Sequence, residues 1–571
     1  MKLKYWLLFI AAILCCGALA SCTSGGDVPA DTTSPAETEV PLNGIELSAL
    51  GQYRIIHAEK ADSTVYGAAS ALSQALTDKV GVNIPLSDDF YREGVPGYSI
   101  EKEEILIGVT NRPETAEFLS GMKMNDYGYA VINGKLVIAG RSSDTTRSAF
   151  DLFCTEVLDG LSADSKFFVT DGTRSVKSGD YAVDDLTLCG KSIADFTVVY
   201  DKDEAYNKVL AEMLSAFVAS KVGYVLPVEK STALNKLDAK QSVIYIGLSD
   251  KASLPASLST APGAGQYLLA ADTADRTFVL AAGGTAADTT EAVKDLMERM
   301  IASGEKTVAI TLEGNAPVAV GEKDTLSAMS FNVWVSSVTD ERMKRVSDMI
   351  KKYMPDTIGV QEASVSWMNY LKDTFSDTYA CVGVGRDLFG AGEHSAIFYA
   401  KDKFKLIESD TKWLSPTPDV PSKFDESSLN RIYTYAILER KSDGMRFLCL
   451  NTHLEHTTEE ARVLQAGVLL EFLAKHPDLP VVCTGDFNTT KGGDLYKTIT
   501  ANRLADGAAV ALSTDNSATF HDYGNSSKII DFCFVSRESV LVDKYFVCDE
   551  KINGDFASDH HPVMIEYRLI G

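Results

Sequence analysis

The stretch "PVVCTGDFN", Pro480–Asn488, is an apolar run that stops on an acid and an amide two positions apart. Val481, Val482 and Cys483 read as a buried strand. Residues two apart on an extended chain face the same way, so Asp486 and Asn488 can act on one water together. The same texture recurs on either side. "LSAMSFNVW" delivers Asn332, "DTIGVQE" delivers Gln361 and Glu362, and "GEHSAIFY" opens with Glu393. "RFLCLNTHLEH" delivers Asn451, His453, Glu455 and His456; "KIIDFCFVS" carries Asp531; "FASDHHPVMIEY" sets Asp559 and His560 ahead of a last strand. Singly, each is an ordinary turn former. Together, strands that bury their bodies and end in acids, amides and imidazoles predict a floor of polar side chains at one sheet edge. Helical three-four spacing, as in Met343, Val346, Met349, Ile350 and Tyr353, separates them.

In this order, "SFNVW", "GVQE", "GEHSAIFY", "NTHLEH", "GDFN", "IDFCFVS" and "SDHHPV" resemble the endonuclease/exonuclease/phosphatase superfamily, which includes deoxyribonuclease I, apurinic endonucleases, sphingomyelinases and inositol-polyphosphate phosphatases. The resemblance runs from about Leu326 onward. It implies an α/β fold, a four-layer sandwich of two mixed sheets packed face to face with helices outside and the site at the strand ends. It also implies a hydrolase acting on phosphate esters. Such chemistry needs phosphoryl charge neutralised, a water made nucleophilic and a leaving alkoxide stabilised. Carried over by position, Asn332, Glu362 and Asp559 are expected to hold Mg²⁺, with Mn²⁺ or Ca²⁺ next, as suits oxygen donors. Asp486 would deprotonate the water and Asn488 would hold the phosphate. His560, oriented by Asp531, would be a phosphate contact or acid/base group. His453 would contact phosphoryl oxygens, steadied by Glu393. Arg431, in "NRIYTYAIL", is either a further phosphate contact or a surface salt bridge. Glu455 stands where this subgroup leads one to expect Asp. His456 and His561 have no counterpart and read as exposed bystanders. No basic or aromatic wedge for duplex DNA and no apolar hairpin for lipid is apparent.

The first half repeats itself at a shift of about 140 residues. "YRIIHAE" from Tyr53 answers "FTVVYDK" from Phe196, "EILIGVTNRPE" answers "VIYIGLSDKAS", and "KLVIAGRSSDTTRSAFDLF" answers "TFVLAAGGTAADTTEAVKDLM". Each unit reads as an α+β module, with Asp144 and Asp288 placed to cap the final helix. The expected organisation is residues 44–176 and 177–316 for the two modules and 324–571 for the hydrolase-like domain. "EGNAPVAVGEKD", Glu313–Asp324, reads as the boundary.

Ahead of the modules, Lys2 and Lys4 precede a short apolar run ending in "LASC", which resembles a bacterial lipoprotein signal over residues 1–22 with Cys22 as the lipidated residue. Residues 23–43 are rich in Ser, Thr, Pro and acids, the composition of a disordered tether. The expected location is the extracytoplasmic face of a membrane, held by the lipid, as a monomer. Of ten cysteines, seven follow Cys22 with no metal-type spacing and several inside apolar runs, so buried thiols are expected and not a disulfide framework. The formal charge of −25 argues against a nucleic-acid coat, though a locally cationic site can still handle phosphate. Expected partners are a phosphoester substrate, extracellular nucleic acid or a small phosphoester or lipid headgroup, and a glycan for the modules. The reading of another class is a glycan-binding surface lipoprotein with a retired hydrolase domain; against it, all eight of Asn332, Glu362, His453, Asp486, Asn488, Asp531, Asp559 and His560 are present.

Overall fold

The computed structural model describes residues 47–570, except 82, 92–99, 101–102, 161–171, 249–253 and 259. The signal segment, Cys22 and the tether lie outside the described residues.

In the C-terminal part, the apolar runs form two sheets. One has seven strands, in the order Tyr379–Val382, His394–Ala400, Thr357–Ala363, Leu326–Asn332, Val563–Leu569, Val540–Val547, Ser513–Thr514. The other has six, in the order Phe404–Trp413, Ile432–Arg440, Arg446–His453, Val481–Asp486, Asp531–Ser536, Leu504–Asp506. Both are mixed: Leu326–Asn332 runs parallel to Thr357–Ala363 and antiparallel to Val563–Leu569, while Val481–Asp486 runs parallel to Arg446–His453 and antiparallel to Asp531–Ser536. Their inner faces share one core, in which Met329, Phe331 and Val360 of the first sheet meet Phe447, Cys449, Val482 and Val535 of the second. The approach is close. A Cβ on Gly359 would lie 2.0 Å from Thr484 Oγ1, so no other residue fits there. The Asn451 amide crosses between sheets to the carbonyls of Val360 and Ala396, both at 2.9 Å. Helices Asp340–Tyr353 and Glu459–Ala474 lie outside, with Thr339 and Thr458 as N-caps. This is the mixed α/β sandwich the motifs imply.

The first half holds two six-stranded sheets of matching order. In one, Leu86–Asp88, Arg54–His57, Glu104–Ile107, Lys135–Gly140, Tyr127–Ile132 and Arg174–Lys177 follow one another. In the other, Val228–Lys230, Phe196–Tyr200, Ser242–Ile246, Phe278–Gly283, Gln266–Asp272 and Val318–Ala319 take the same places. The last strand lies inside the stretch read as a boundary, so that segment is edge structure and not a free linker. The helix caps also differ from expectation. Ser142 and Thr285 accept the N-terminal N–H bonds, and Asp144 and Asp288 sit inside the first turn, because the shorter hydroxyl side chains precede them on extended backbone. The second module packs against the C-terminal domain: its core takes in Leu541 and Ile570, and Arg568 donates to both carboxylate oxygens of Glu291 at 2.6 and 2.8 Å. All seven described cysteines are free, four of them buried.

Candidate active site

Register builds the site. In the second sheet His453 pairs with Asp486 and Asp486 with Asp531, so three strands end in one row. In the first, Asn332 pairs with Gln361 and the loop before Val563 closes over it, where Ser558 Oγ donates to the Asn332 carbonyl at 2.7 Å. Glu362 is turned inward by a bulge: the pairing of its strand with His394–Ala400 slips between Val360 and Ala363, and Glu362 adopts φ 56°. Asn488 has φ 50°, and Trp334, which also lines the cleft, has φ 55°. Non-glycine residues held there cost about 1–3 kcal/mol each and gather at functional sites. Arg342 supports the strand end from beneath, donating to the carbonyls of Val333, Trp334, Ser336, Ser337 and Ala557.

The side chains form a connected array lining a cleft of about 650 Å³. Asn332 Nδ2 lies 3.0 Å from Asp486 Oδ2 and 3.1 Å from Glu362 Oε1. His560 Nδ1 lies 2.9 Å from Asp531 Oδ2, and His560 Nε2 lies 3.7 Å from Asp486 Oδ2. Asn488 Nδ2 donates to the Leu454 carbonyl at 3.1 Å and to His453 Nε2 at 3.0 Å. That geometry gives His453 a lone pair at Nε2, the neutral form.

Electrostatics follow from burial and neighbours. Burial pushes the Asp486 carboxyl up, and Asp531 pushes it further, against His560 and the N–H donors of Asn488 and Asn332. Burial works against the His560 cation, yet Asp531, its hydrogen bond, Asp486 and Asp559 outweigh it and raise the imidazole to about 10. His453 goes the other way: burial lowers it, and Arg431, Arg386 and His560 add to the effect. One imidazole is thus a cation and the other neutral at neutral pH.

The donor set fits a hard divalent cation. Ligand atoms of Glu362, His453 and Asp486 lie within 4.8 Å of one another. A second cluster, Asp486, Asp531 and His560, is as tight, but there the imidazolium already supplies the positive charge. Among the described residues Glu362 makes no ion pair, its oxygens accepting from the Asn332 amide and the Val335 N–H, and the Asp559 carboxyl is raised by burial and by Glu362.

Three sequence readings change. Asn332 was read as an oxygen ligand, but its oxygen accepts from Trp334 N–H at 2.9 Å and its amide N–H₂ faces the acids, so it tethers Glu362 to Asp486. Glu393 does not reach His453; Arg386 takes both its oxygens, at 2.8 and 2.9 Å. Arg431 is buried and makes no surface salt bridge. The open roles also close. Glu455, wholly buried, accepts from Ser428, Leu429, His456 and Thr457 and pins two loops together. His456 lines the cleft, whereas His561 stacks on His521 at 4.1 Å away from it. An apolar tip does exist, Leu388 and Phe389, both exposed and directly following in sequence the loop that carries Arg386. Sequence reading missed Arg386 and Arg342; the only signal for Arg386 was its place seven residues before Glu393 across a glycine-rich turn.

The family described as Endonuclease/Exonuclease/phosphatase matches residues 329–560. Among solved structures, an endonuclease/exonuclease/phosphatase family protein from Bacteroides thetaiotaomicron is 30% identical, covering 44% of this chain and 100% of that one, with a TM-score of 0.42. One from Bacteroides vulgatus is 32% identical, covering 43% and 100%, with a TM-score of 0.41. A mannosyl-6-phosphatase from Bacteroides thetaiotaomicron is 32% identical, covering 43% and 99%, with a TM-score of 0.40. No curated protein matches the chain. Through this C-terminal domain the chain belongs to the endonuclease/exonuclease/phosphatase family, hydrolases of phosphate esters.

Proposed function

We propose that the protein is a surface-anchored, metal-dependent phosphoesterase that hydrolyses a phosphodiester or phosphomonoester with an activated water. The observation that carries this is the unbroken chain of contacts Asp531, His560, Asp486, Asn332, Glu362 at the strand ends. Glu362, with Asp486 and Asp559 beside it, would hold Mg²⁺, which when bound neutralises phosphoryl oxygens and steadies the leaving oxygen. Asp486 takes the proton of the attacking water, its raised pKa bringing it toward the range where a base works best. Asn488, held by the Leu454 carbonyl and by neutral His453, would give up the His453 bond to orient the phosphoryl group. His560, a cation backed by Asp531, gives its Nε2 proton to the departing alkoxide. Water oxygen bonds to phosphorus, the ester P–O bond breaks, and passage of a proton from Asp486 to His560 resets both. The "LASC" sequence supports attachment through lipid at Cys22, tested by fatty-acid labelling that Cys22→Ala should abolish.

The enzymatic test is turnover of p-nitrophenyl phosphate, bis(p-nitrophenyl) phosphate, plasmid DNA and phospholipid by purified protein with Mg²⁺, stopped by chelator. Silence on every substrate, with Asp486→Asn and His560→Ala indistinguishable from the wild type, would sink the reading.

A further inference from the structure

Arg431 is out of balance with its surroundings. Its side chain is 3% exposed, and its Nε and Nη1 have no hydrogen-bond partner. Only Nη2 has one, His456 Nδ1 at 3.0 Å. Glu455 Oε2, at 3.9 Å from Nε, is too far to bond, and its oxygens are already occupied by the Ser428, Leu429, His456 and Thr457 donors. Unmet donors on a buried charge are expensive, more so than on a neutral group. A second guanidinium, Arg386, stands against the same wall. Both line a recess with room for about 10 Å³, one oxygen-sized group, and its other walls include Glu362, Glu393 and His453, which also line the main cleft.

We infer that Arg431 and Arg386 form an oxyanion subsite for a terminal phosphate oxygen, which makes a phosphomonoester the preferred substrate class. This rests on the phosphoesterase reading above. A diester has two non-bridging oxygens, and the acid-held cation together with Asn488 provides for two, His560 being engaged with the leaving oxygen. A monoester brings a third, with a second negative charge. The unmet N–H groups of Arg431 offer that oxygen a donor, and Arg386, though held by both oxygens of Glu393, adds positive charge beside it. A diester puts a carbon there, which leaves Arg431 unmet and must fit an opening of one oxygen. The reaction keeps its balance: monoester and water give alcohol and inorganic phosphate, the product retaining the oxygen bound in the recess.

The test compares kcat/KM for p-nitrophenyl phosphate and bis(p-nitrophenyl) phosphate in the wild type, Arg431→Gln, Arg431→Lys and Arg386→Gln, with thermal melting to confirm folding. The monoester-to-diester ratio should fall about 100-fold in Arg431→Gln, partly recover in Arg431→Lys, and fall less in the more exposed Arg386→Gln. Inorganic phosphate, which needs no turnover, should raise the wild-type melting temperature with and without chelator and lose that effect in Arg431→Gln. An unchanged ratio, equal loss on both substrates, or phosphate binding indifferent to Arg431 and Arg386 would overturn the subsite. If neither ester is hydrolysed, the phosphoesterase reading fails, and the phosphate-binding arm still decides whether the recess takes an oxyanion.

Discussion

Two buried charge clusters lie at strand ends in different halves of the chain, and they are built to opposite rules. In the first module Glu104, wholly buried, is met by Arg112 at 3.0 Å and Lys135 at 2.8 Å. Burial raises its carboxyl, but hydrogen bonds from both cations outweigh that and hold it below its ordinary range. In the C-terminal domain burial raises Asp486 and Asp559, and further carboxylates raise them more. Burial raises all three carboxyls, and only Glu104 has hydrogen-bonded cations enough to reverse it. A cluster that neutralises itself serves the fold, whereas one left short of positive charge waits for a ligand.

Removing one acid from each separates the two. Asp486→Asn should lower kcat by about 10²- to 10⁴-fold, the usual worth of a positioned base, while leaving the melting temperature equal or higher, since it relieves repulsion. Steady-state rates and calorimetry on the same preparation check this. Glu104→Gln should do the converse, costing about 3–5 kcal/mol because Arg112 loses its countercharge and Lys135 the nearer of its two, Glu114 lying at 3.6 Å. Denaturant unfolding reads that loss, and kcat of the folded fraction should stay within about two-fold of wild type. Equal stability losses in both variants would erase the distinction.

Cation supply sharpens it. Mg²⁺ at about 100 times its dissociation constant should stabilise the C-terminal domain by about 2.7 kcal/mol, an effect that Glu362→Gln diminishes and Glu104→Gln does not. The smallest effect concerns acid. Glu455 is raised by burial but brought down to about 2 by the Ser428, Thr457 and Leu429 donors and by Arg431. A depressed carboxyl contributes stability that is complete above the unfolded value of about 4.3 and lost as pH falls toward 2. Across that window the wild type should lose stability faster than Glu455→Gln, measured as denaturant midpoints at each pH.

What the sequence disclosed was whatever a single strand carries. Asn332, Glu362, His453, Asp486 and Asn488 end or follow an apolar run and Asp531, Asp559 and His560 open or precede one, so the list could be read locally, and the order of the runs pointed to the sandwich. Partnerships were another matter. Glu393 next to "HSAIFY" gave no sign that Arg386 would return to it across a turn, and nothing near Arg431 announced that Glu455 would already be engaged. The direction of the Asn332 amide depends on Trp334 N–H, a backbone group bent by a positive φ that residue type does not predict. Likewise "NAPVAVG" looked like a linker because two strand residues carry too little periodicity to be seen.

That short strand has a practical side. Val318–Ala319 pairs with Gln266–Tyr267 of the second module and leads within a few residues into Leu326, the first strand of the catalytic sandwich. Dissecting the protein at the apparent boundary would therefore strip an edge from one sheet, bare Leu541 and Ile570, and leave Arg568 without Glu291. A recombinant fragment that begins at Glu322 should be expected to aggregate or to need solubilising changes at those three positions. One that retains the second module keeps the surface covered.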